Sequence, residues 1–469
     1  METSKHNRED EPRNRENNPV LERWEEVFSS MRRRPAILAP DGTIWRTFSS
    51  IEEEAKQWMN RLARQSSRGA ISLQIGNRAE WPALLLATWR SGRILLPLDR
   101  DLLHERRQRI EALCGASVRI ESRGTELDLV PLSDSQALAD SRIDLFKFTS
   151  GTTCEPRAIS FRAAQLLADC DNVCDSMGLR EDDLNYGIVA FDHSYGFSNL
   201  ITPLLCRGIP LVPAWDIIPR AILQGLKSSS ATVLAGVPAI FRNILDFPEA
   251  GRCLRLCISA GALLAGDVAR RFFDSWGRKI HSFYGSSECG GICYDPSETP
   301  EVSTGYVGLP LKDVDVCMED GELSQAWVRS RAVGLGYWPP LADENLREGA
   351  FRPVDLLKRS GEGYMIAGRV SDLINVAGRK VNPHEIERIL RMSPHVRQVV
   401  VLGLPAIARG EEVVACVEGR ATEAELRTLC ANNLPAWQVP RRWFFLEEIP
   451  LNARGKISRA ELRSRLVLE

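Results

Sequence analysis

A chain of 469 residues with 44% hydrophobic and 26% charged side chains is too long for one compact core, so two or three soluble globular domains are expected. Its 60 Lys+Arg against 62 Asp+Glu leave a net charge of −2. That removes the case for a nucleic acid or other polyanion partner, and the basic clusters "MRRR" (31–34) and "HERRQR" (104–109) read as solvated faces.

The N-terminal "METSKHNREDEPRNRENNP" is polar, lacks the apolar centre of a signal peptide and reads as a disordered tail over residues 1–18. No apolar run approaches the 18 residues of a transmembrane segment, so a cytoplasmic protein is expected. Residues 69–98 have a βαβ rhythm: "AISLQI" as strand, "RAEWPALLLATWRSG" as helix with Pro82 in its first turn, and "RILLPL" as strand. The alternation recurs. "YGIVAF" precedes the helix "SNLITPLL", and "IPLVPA" and "ATVLAGV" precede "PAIFRNIL". "LRLCISA" then leads into "AGDVARRFFDSWG" and "KIHSFYG". Such repetition predicts an α/β core with largely parallel sheets.

After about residue 300 Gly and Pro become frequent, and "GELSQAWV" and "GYMIAG" read as antiparallel strands. Beyond a boundary near Ser371 a smaller α+β unit follows. Its helices are "NPHEIERILRM" and "TEAELRTLCANN", and its strands are "RQVVVLG" and "EEVVACVEG". Twelve cysteines include three C-x3-C pairs, Cys170/Cys174, Cys253/Cys257 and Cys289/Cys293. Their apolar neighbours and the absence of an adjacent His favour buried small hydrophobes in a reducing compartment over a metal site.

Five stretches carry chemistry. In "FKFTSGTTCEPRAI" (146–159), Thr149, Ser150, Gly151, Thr152 and Thr153 follow a strand. They read either as a Ser/Thr turn or as an anion cradle, with Arg157 behind them. "SFYGSSECGG" (282–291) sets Tyr284, Gly285 and Ser287 before Glu288, a carboxylate suited to Mg²⁺ or simply a solvated turn residue. "FRPVDLL" buries Asp355, which needs donors. "GRVSDLINVAGRKVNPHEIE" (368–387) places the fixed cation Arg369 at a junction. "NARGKISRAEL" (452–462) offers Lys456 after a glycine as a point charge. Neither a Walker loop nor a G-x-G-x-x-G is present.

In this order and at these separations the five segments resemble the adenylate-forming superfamily of acyl-CoA synthetases, aryl-CoA ligases, luciferases and peptide-synthetase adenylation domains. The resemblance spans about residues 20 to 465. It implies an α/β fold: a large N-terminal domain (19–370) of mixed and parallel sheets flanked by helices with a β-rich subdomain, and a small mobile α+β C-terminal domain (371–469). It implies that ATP activates a carboxylic acid as an acyl-adenylate with release of pyrophosphate, and that the acyl group then passes to a thiol. CoA is the first expectation for that thiol and the pantetheine of an acyl carrier protein the alternative. A non-catalytic nucleotide-binding relative is a third reading.

By resemblance the 149–153 hydroxyls, Gly151 and Arg157 would bind phosphates, and Glu288 would hold Mg²⁺. Tyr284 would pack against adenine beside the backbone from Ala260 through Gly261 to Ala262, and Gly285 and Ser287 would also bind the nucleotide. Asp355 and Arg369 would hold the ribose. Lys456 would bridge carboxylate and α-phosphate, after which its domain would turn about Ser371 and present Gly378 to the thiol. In "FDHSYGFSN" (191–199) His193 would wall the acid pocket, as in acyl- and aryl-CoA ligases, although Asp192 also fits the amino-acid pattern. The chain departs from the family at Cys154 and Ala158 in the phosphate loop, at Pro353 and Val354 before Asp355, and at Asn375.

Overall fold

A computed structural model describes residues 18–65, 69–132, 143–148, 157–300, 303–319, 321–340, 345–376, 379–406, 410–450 and 459–467. The chain divides into two compact units. The first takes its described residues from 18–304, 308–316 and 328–351, and the second from 305–307, 317–327 and 352–467. The expected α/β core is present in the first, and the expected smaller α+β arrangement in the second.

In the first unit, strands Asn185–Gly187, Val233–Gly236, Leu256–Ser259 and Ile280–Ser286 lie side by side and parallel. Short apolar runs buried on both faces produce such strands, and helices cover them. Phe241, Phe272 and Trp276 from two of these helices meet as an edge-on and a stacked ring pair over Leu234, Cys257 and Ile280. Each such side chain contributes about 1.5–3 kcal/mol on burial. A second sheet contains the expected βαβ unit. Strands Ala70–Gln74 and Leu95–Pro97 are parallel, and helix Trp81–Arg90 between them carries Pro82 in its first turn. Leu145–Phe148 extends this sheet and pairs antiparallel with Ala158–Phe161, which in turn pairs with Gly336–Trp338.

Two local expectations change. The strand expected over 186–191 ends at Gly187, because Phe191 N–H donates to Asn77 Oδ1 and His193 N–H to the Ala190 carbonyl instead of a ladder. The helix expected at 198–205 begins as a π-turn, Phe197–Ile201, followed by helix Thr202–Arg207. Pro203 has no N–H to offer the Asn199 carbonyl, and Thr202 N–H reaches back five residues to Phe197. Asn18, placed by the sequence in the tail, is the N-cap of helix Pro19–Met31, where its side chain accepts from Val20 and Leu21; residues 1–17 lie outside the described residues. Most described cysteines are free and buried, whereas Cys253 and Cys317 are free and exposed.

The second unit contains an antiparallel set, Leu323–Ser324, Asp355–Ser360 and Gly363–Arg369. It also contains a sheet built on the long pair Val396–Ala406 and Gly410–Gly419. Val399, Val401 and Val413 face helices Pro383–Leu390 and Glu423–Asn433, while Val400, Leu402 and Val414 face Leu462 and Leu466 of helix Arg459–Val467. Burial on both faces explains why "QVVVLG" reads as an unbroken apolar run.

Candidate active site

The segment expected to cradle phosphate, Thr149, Ser150, Gly151, Thr152 and Thr153 with Cys154, Glu155 and Pro156, lies outside the described residues. Its two anchors are described. Phe148 and Ala158 are partners in the antiparallel pair, so the segment leaves and returns at neighbouring points, and Arg157 at its end is exposed.

Glu288 sits in the turn between Ile280–Ser286 and Gly290–Tyr294. Tyr337 O–H donates to its Oε1 at 3.2 Å, Ser286 Oγ donates to its Oε2, and Gly334 N–H donates to its backbone carbonyl at 2.8 Å. Tyr337 lies opposite Ile159, two residues past Arg157. The fold therefore fastens the Glu288 turn to the strand that flanks the foot of the 149–156 segment. Tyr337 carries no motif; only its place in the Gly/Pro-rich "GLGYWPP" marks it. Two of about four lone-pair sites on the carboxylate are used by described donors, which leaves room for a hard cation.

Tyr284 is largely buried and pairs with Cys293, and a Cβ on Gly285 would come within 2.7 Å of the Gly290 carbonyl oxygen. Ser287 occupies the turn itself. Gly261 has φ +80°, a conformation that favours glycine, and with Ala262 follows the carboxyl end of Leu256–Ser259. Since the neighbouring strands run parallel, the 188–193 segment, Gly261–Ala262 and Tyr284–Gly285 all gather at one edge, where open α/β sheets bind ligands. Ser194 Oγ and Ser259 Oγ on this edge are buried and have no hydrogen-bond partner among the described residues. An orphan of this kind costs about 1–3 kcal/mol and suits a ligand-facing role.

His193 is partly exposed, with Nε2 3.9 Å from Asp99 Oδ2. Asn77, which the sequence did not single out, positions this stretch: its Nδ2 donates to the carbonyls of Gly187, Val189 and Ala214, and its Oδ1 accepts from Phe191. Tyr195 O–H lies between the Gly236 and Ile258 carbonyls.

In the second unit Asp355 and Arg369 face each other across two strands, and Arg369 Nε donates to Asp355 Oδ1 at 2.8 Å. The donor that buried Asp355 required is thus the second residue expected at the ribose. Ser371 lies in the short turn Val370–Asp372; Gly378 and Lys456 lie outside the described residues.

Around that turn is a charge cluster with no predicted role. Glu387, 2% exposed, accepts from Val401 N–H at 2.9 Å, from Arg459 at 2.5 Å and from Arg391 at 3.3 Å. His384 stands 3.2 Å from Glu387 and 3.4 Å from Asp372, and Arg459 reaches Asp372 at 3.4 Å. Through Arg459 the cluster ties the start of helix Arg459–Val467 to the turn at 370–372.

Burial pushes the Glu387 carboxyl up, but the His384 hydrogen bond and the Arg459 charge outweigh it and hold the pKa down at about 2. Burial pushes His384 down, and its bonds to Asp372 and Glu387 more than reverse that, leaving it raised. The depressed carboxylate stabilises the unit above the ordinary carboxyl pKa of 4.5, and that contribution is lost as pH falls towards 2. The raised imidazole contributes fully below 6.5, and its contribution is lost as pH rises through its folded value. Amide protection in Val396–Ala406 and Gly410–Gly419, corrected for intrinsic exchange, is therefore expected to peak between about pH 4.5 and 6.5. In His384→Gln the decline on the alkaline side should disappear.

Among the described residues no helix is long and apolar enough to cross a membrane. The family model "AMP-binding enzyme" matches residues 132–338, and "AMP-binding enzyme C-terminal domain" matches 385–456. The chain is 28% identical to the oxalate–CoA ligase of Arabidopsis thaliana over 373 residues, covering 72% of this chain and 71% of that one. It is 26% identical to the feruloyl-CoA synthase of an Amycolatopsis species over 480 residues, covering 92% and 97%. The fold matches ATP-bound MatB from Rhodopseudomonas palustris with a TM-score of 0.80 at 24% identity, covering 94% and 98%.

Proposed function

The chain belongs to the AMP-binding enzyme family, and from that membership we propose that it joins a carboxylic acid to CoA in two steps driven by ATP. In the first, a carboxylate oxygen attacks the α-phosphorus, the bond to the bridging oxygen breaks, and pyrophosphate leaves. In the second, the CoA sulfur attacks the acyl carbon of the adenylate and AMP leaves. The observation that supports this best is the Glu288 turn held by Tyr337 beside the foot of the 149–156 segment.

Attack of one anion on another needs positioning and charge compensation more than covalent help from the protein. Backbone and hydroxyl donors of 149–153 with Arg157 would take the β- and γ-phosphates. Glu288 would hold Mg²⁺ together with phosphate oxygens, and the ion would supply charge neutralisation on the triphosphate. Tyr284, Gly285, Ser287, Gly261 and Ala262 would enclose adenine at the carboxyl edge of the parallel strands. Asp355, oriented by Arg369, would accept from the ribose hydroxyls. Lys456 would neutralise charge where acid meets the α-phosphate. A rotation about Ser371 would then withdraw it and bring Gly378 to the thiol. A cytoplasmic location would suit both substrates and the free buried cysteines.

His193 would form a wall of the acid pocket, which favours an acyl or aryl acid over an amino acid. Acid-dependent exchange of labelled pyrophosphate into ATP tests this across fatty, aryl, short dicarboxylic and amino acids. Exchange with an acyl or aryl acid, followed by AMP-forming transfer to CoA, is the expected result. Exchange with amino acids alone would overturn the acid assignment. Transfer to a pantetheinylated carrier but not to CoA would overturn the acceptor, and no exchange with any acid would overturn the reaction.

A further inference from the structure

Asn77 reaches the His193 segment from the second sheet. It follows strand Ala70–Gln74 and precedes helix Trp81–Arg90, and only 6% of it is exposed. A carboxamide both donates and accepts, and here both capacities are used. Nδ2 donates to the carbonyls of Gly187 at 3.0 Å, Val189 at 3.0 Å and Ala214 at 2.7 Å, while Oδ1 accepts from Phe191 N–H at 2.9 Å. An aspartate would set its oxygens against three carbonyls, and an apolar side chain would answer none of the four groups.

Trp81, at the start of the helix, grips the same stretch by packing. It is 1% exposed and meets Phe191 edge-on with ring centroids 6.5 Å apart, and Phe197 at 6.2 Å. His193 lies between those two phenylalanines in the chain. Asp99, 3.9 Å from His193 Nε2, follows strand Leu95–Pro97 of the same second sheet. The strand before this segment ends at Gly187, so its course to His193 is set by side chains arriving from another sheet.

The groups assigned to the nucleotide are held by other means. Tyr337, Ser286 and Gly334 fix Glu288. Among the described residues no hydrogen bond of the Asn77 side chain goes to Gly261–Ala262, Tyr284–Gly285 or Glu288.

We propose that Asn77, with Trp81 behind it, is a positioning residue that sets acid selectivity: it fixes the 188–193 segment, and with it the His193 wall, independently of the MgATP site. Asn77 need not touch the acid. The assignment rests on the acid pocket proposed above and adds to it the residue that gives the pocket its shape.

Wild type, Asn77→Ala and Trp81→Phe are compared as full chains. Pyrophosphate exchange gives KM for MgATP and kcat/KM for decanoate, benzoate, malonate and phenylalanine. Calorimetry gives Kd for MgATP and for each acid, and hydrogen exchange follows residues 188–193. In Asn77→Ala the 188–193 amides should exchange faster. KM and Kd for the preferred acid should rise about tenfold, and its advantage over the other acids should shrink by a similar factor. KM and Kd for MgATP should stay within about twofold, which a general loss of structure would not allow. Trp81→Phe keeps a ring in the slot and should move the acid constants the same way by about threefold. It decides the matter should Asn77→Ala not fold.

An acid KM and preference like those of wild type, or MgATP constants that rise as much as those for the acid, would make the contact structural only and overturn the proposal. Wild type that binds an acid but supports no exchange would overturn the reaction proposed above, and the Kd comparison would still decide the present inference. Wild type that neither binds nor exchanges with any of the four acids would overturn both.

Discussion

Lys456→Ala is expected to lower acid-dependent pyrophosphate exchange by about 10²- to 10³-fold, the usual loss when one preorganised charge-stabilising donor is removed. The Kd for MgATP should stay within about twofold, because on the proposed reading the lysine acts where acid and α-phosphate meet and not on the resting nucleotide. Transfer to CoA from a supplied acyl-adenylate should be largely retained, since the lysine is withdrawn before that step. Stopped-flow thioester formation from synthetic adenylate checks this. A variant that loses both half-reactions equally, or that exchanges at the wild-type rate, would remove Lys456 from the role given to it.

The second large effect is expected at Glu387. Replacing it with alanine strips partners from His384, Arg391, Arg459 and Val401 N–H in one change. Breaking a buried ionic cluster on one side costs about 3–5 kcal/mol, because the remaining cations stay desolvated. The second unit should lose protection across Val396–Ala406 and Gly410–Gly419 in hydrogen exchange, while the strands around Leu256–Ser259 keep theirs. Arg459, three residues behind Lys456, then loses its nearest carboxylate and keeps only Asp372 and the Val401 carbonyl, so exchange activity should fall as well. Unchanged protection in the second unit would show that the cluster carries little of its stability. Glu387→Gln, which keeps an acceptor for Val401, should be milder.

Much of this could be read from local pattern. Apolar runs of strand length between helical periodicities revealed the parallel core, and Pro82 marked a helix start where the structure has one. Glu288, Asp355 and Arg369 stood out because a carboxylate or guanidinium in an apolar or Gly-rich setting needs an explanation. What escaped was chiefly long-range. Tyr337 is 49 residues from Glu288, and Asp169 is 122 from Gly291. Asn77 is 110 from Gly187. Nothing near each of these residues distinguishes it from an ordinary polar side chain.

Glu387 and Arg459 sat inside quoted motifs yet had no role, because their meaning lies in a mutual contact that only the folded second unit supplies. The π-turn was hidden in another way. The apolar period of "SNLITPLL" fits a helix, and the effect of Pro203 falls on a carbonyl four residues back.

The second unit is not a simple C-terminal cassette, for it takes in residues 305–307 and 317–327 before the chain reaches 352. Leu323 and Ser324 pair there with Lys358 and Leu357. Recombination with a homologous gene at one junction between 327 and 352 would leave a native strand facing a foreign neighbour. A junction after Gly368 would transfer the charge cluster of Asp372, His384, Glu387 and Arg459 intact. Exchange of tails between relatives should therefore succeed or fail according to where the splice falls, more than according to overall similarity.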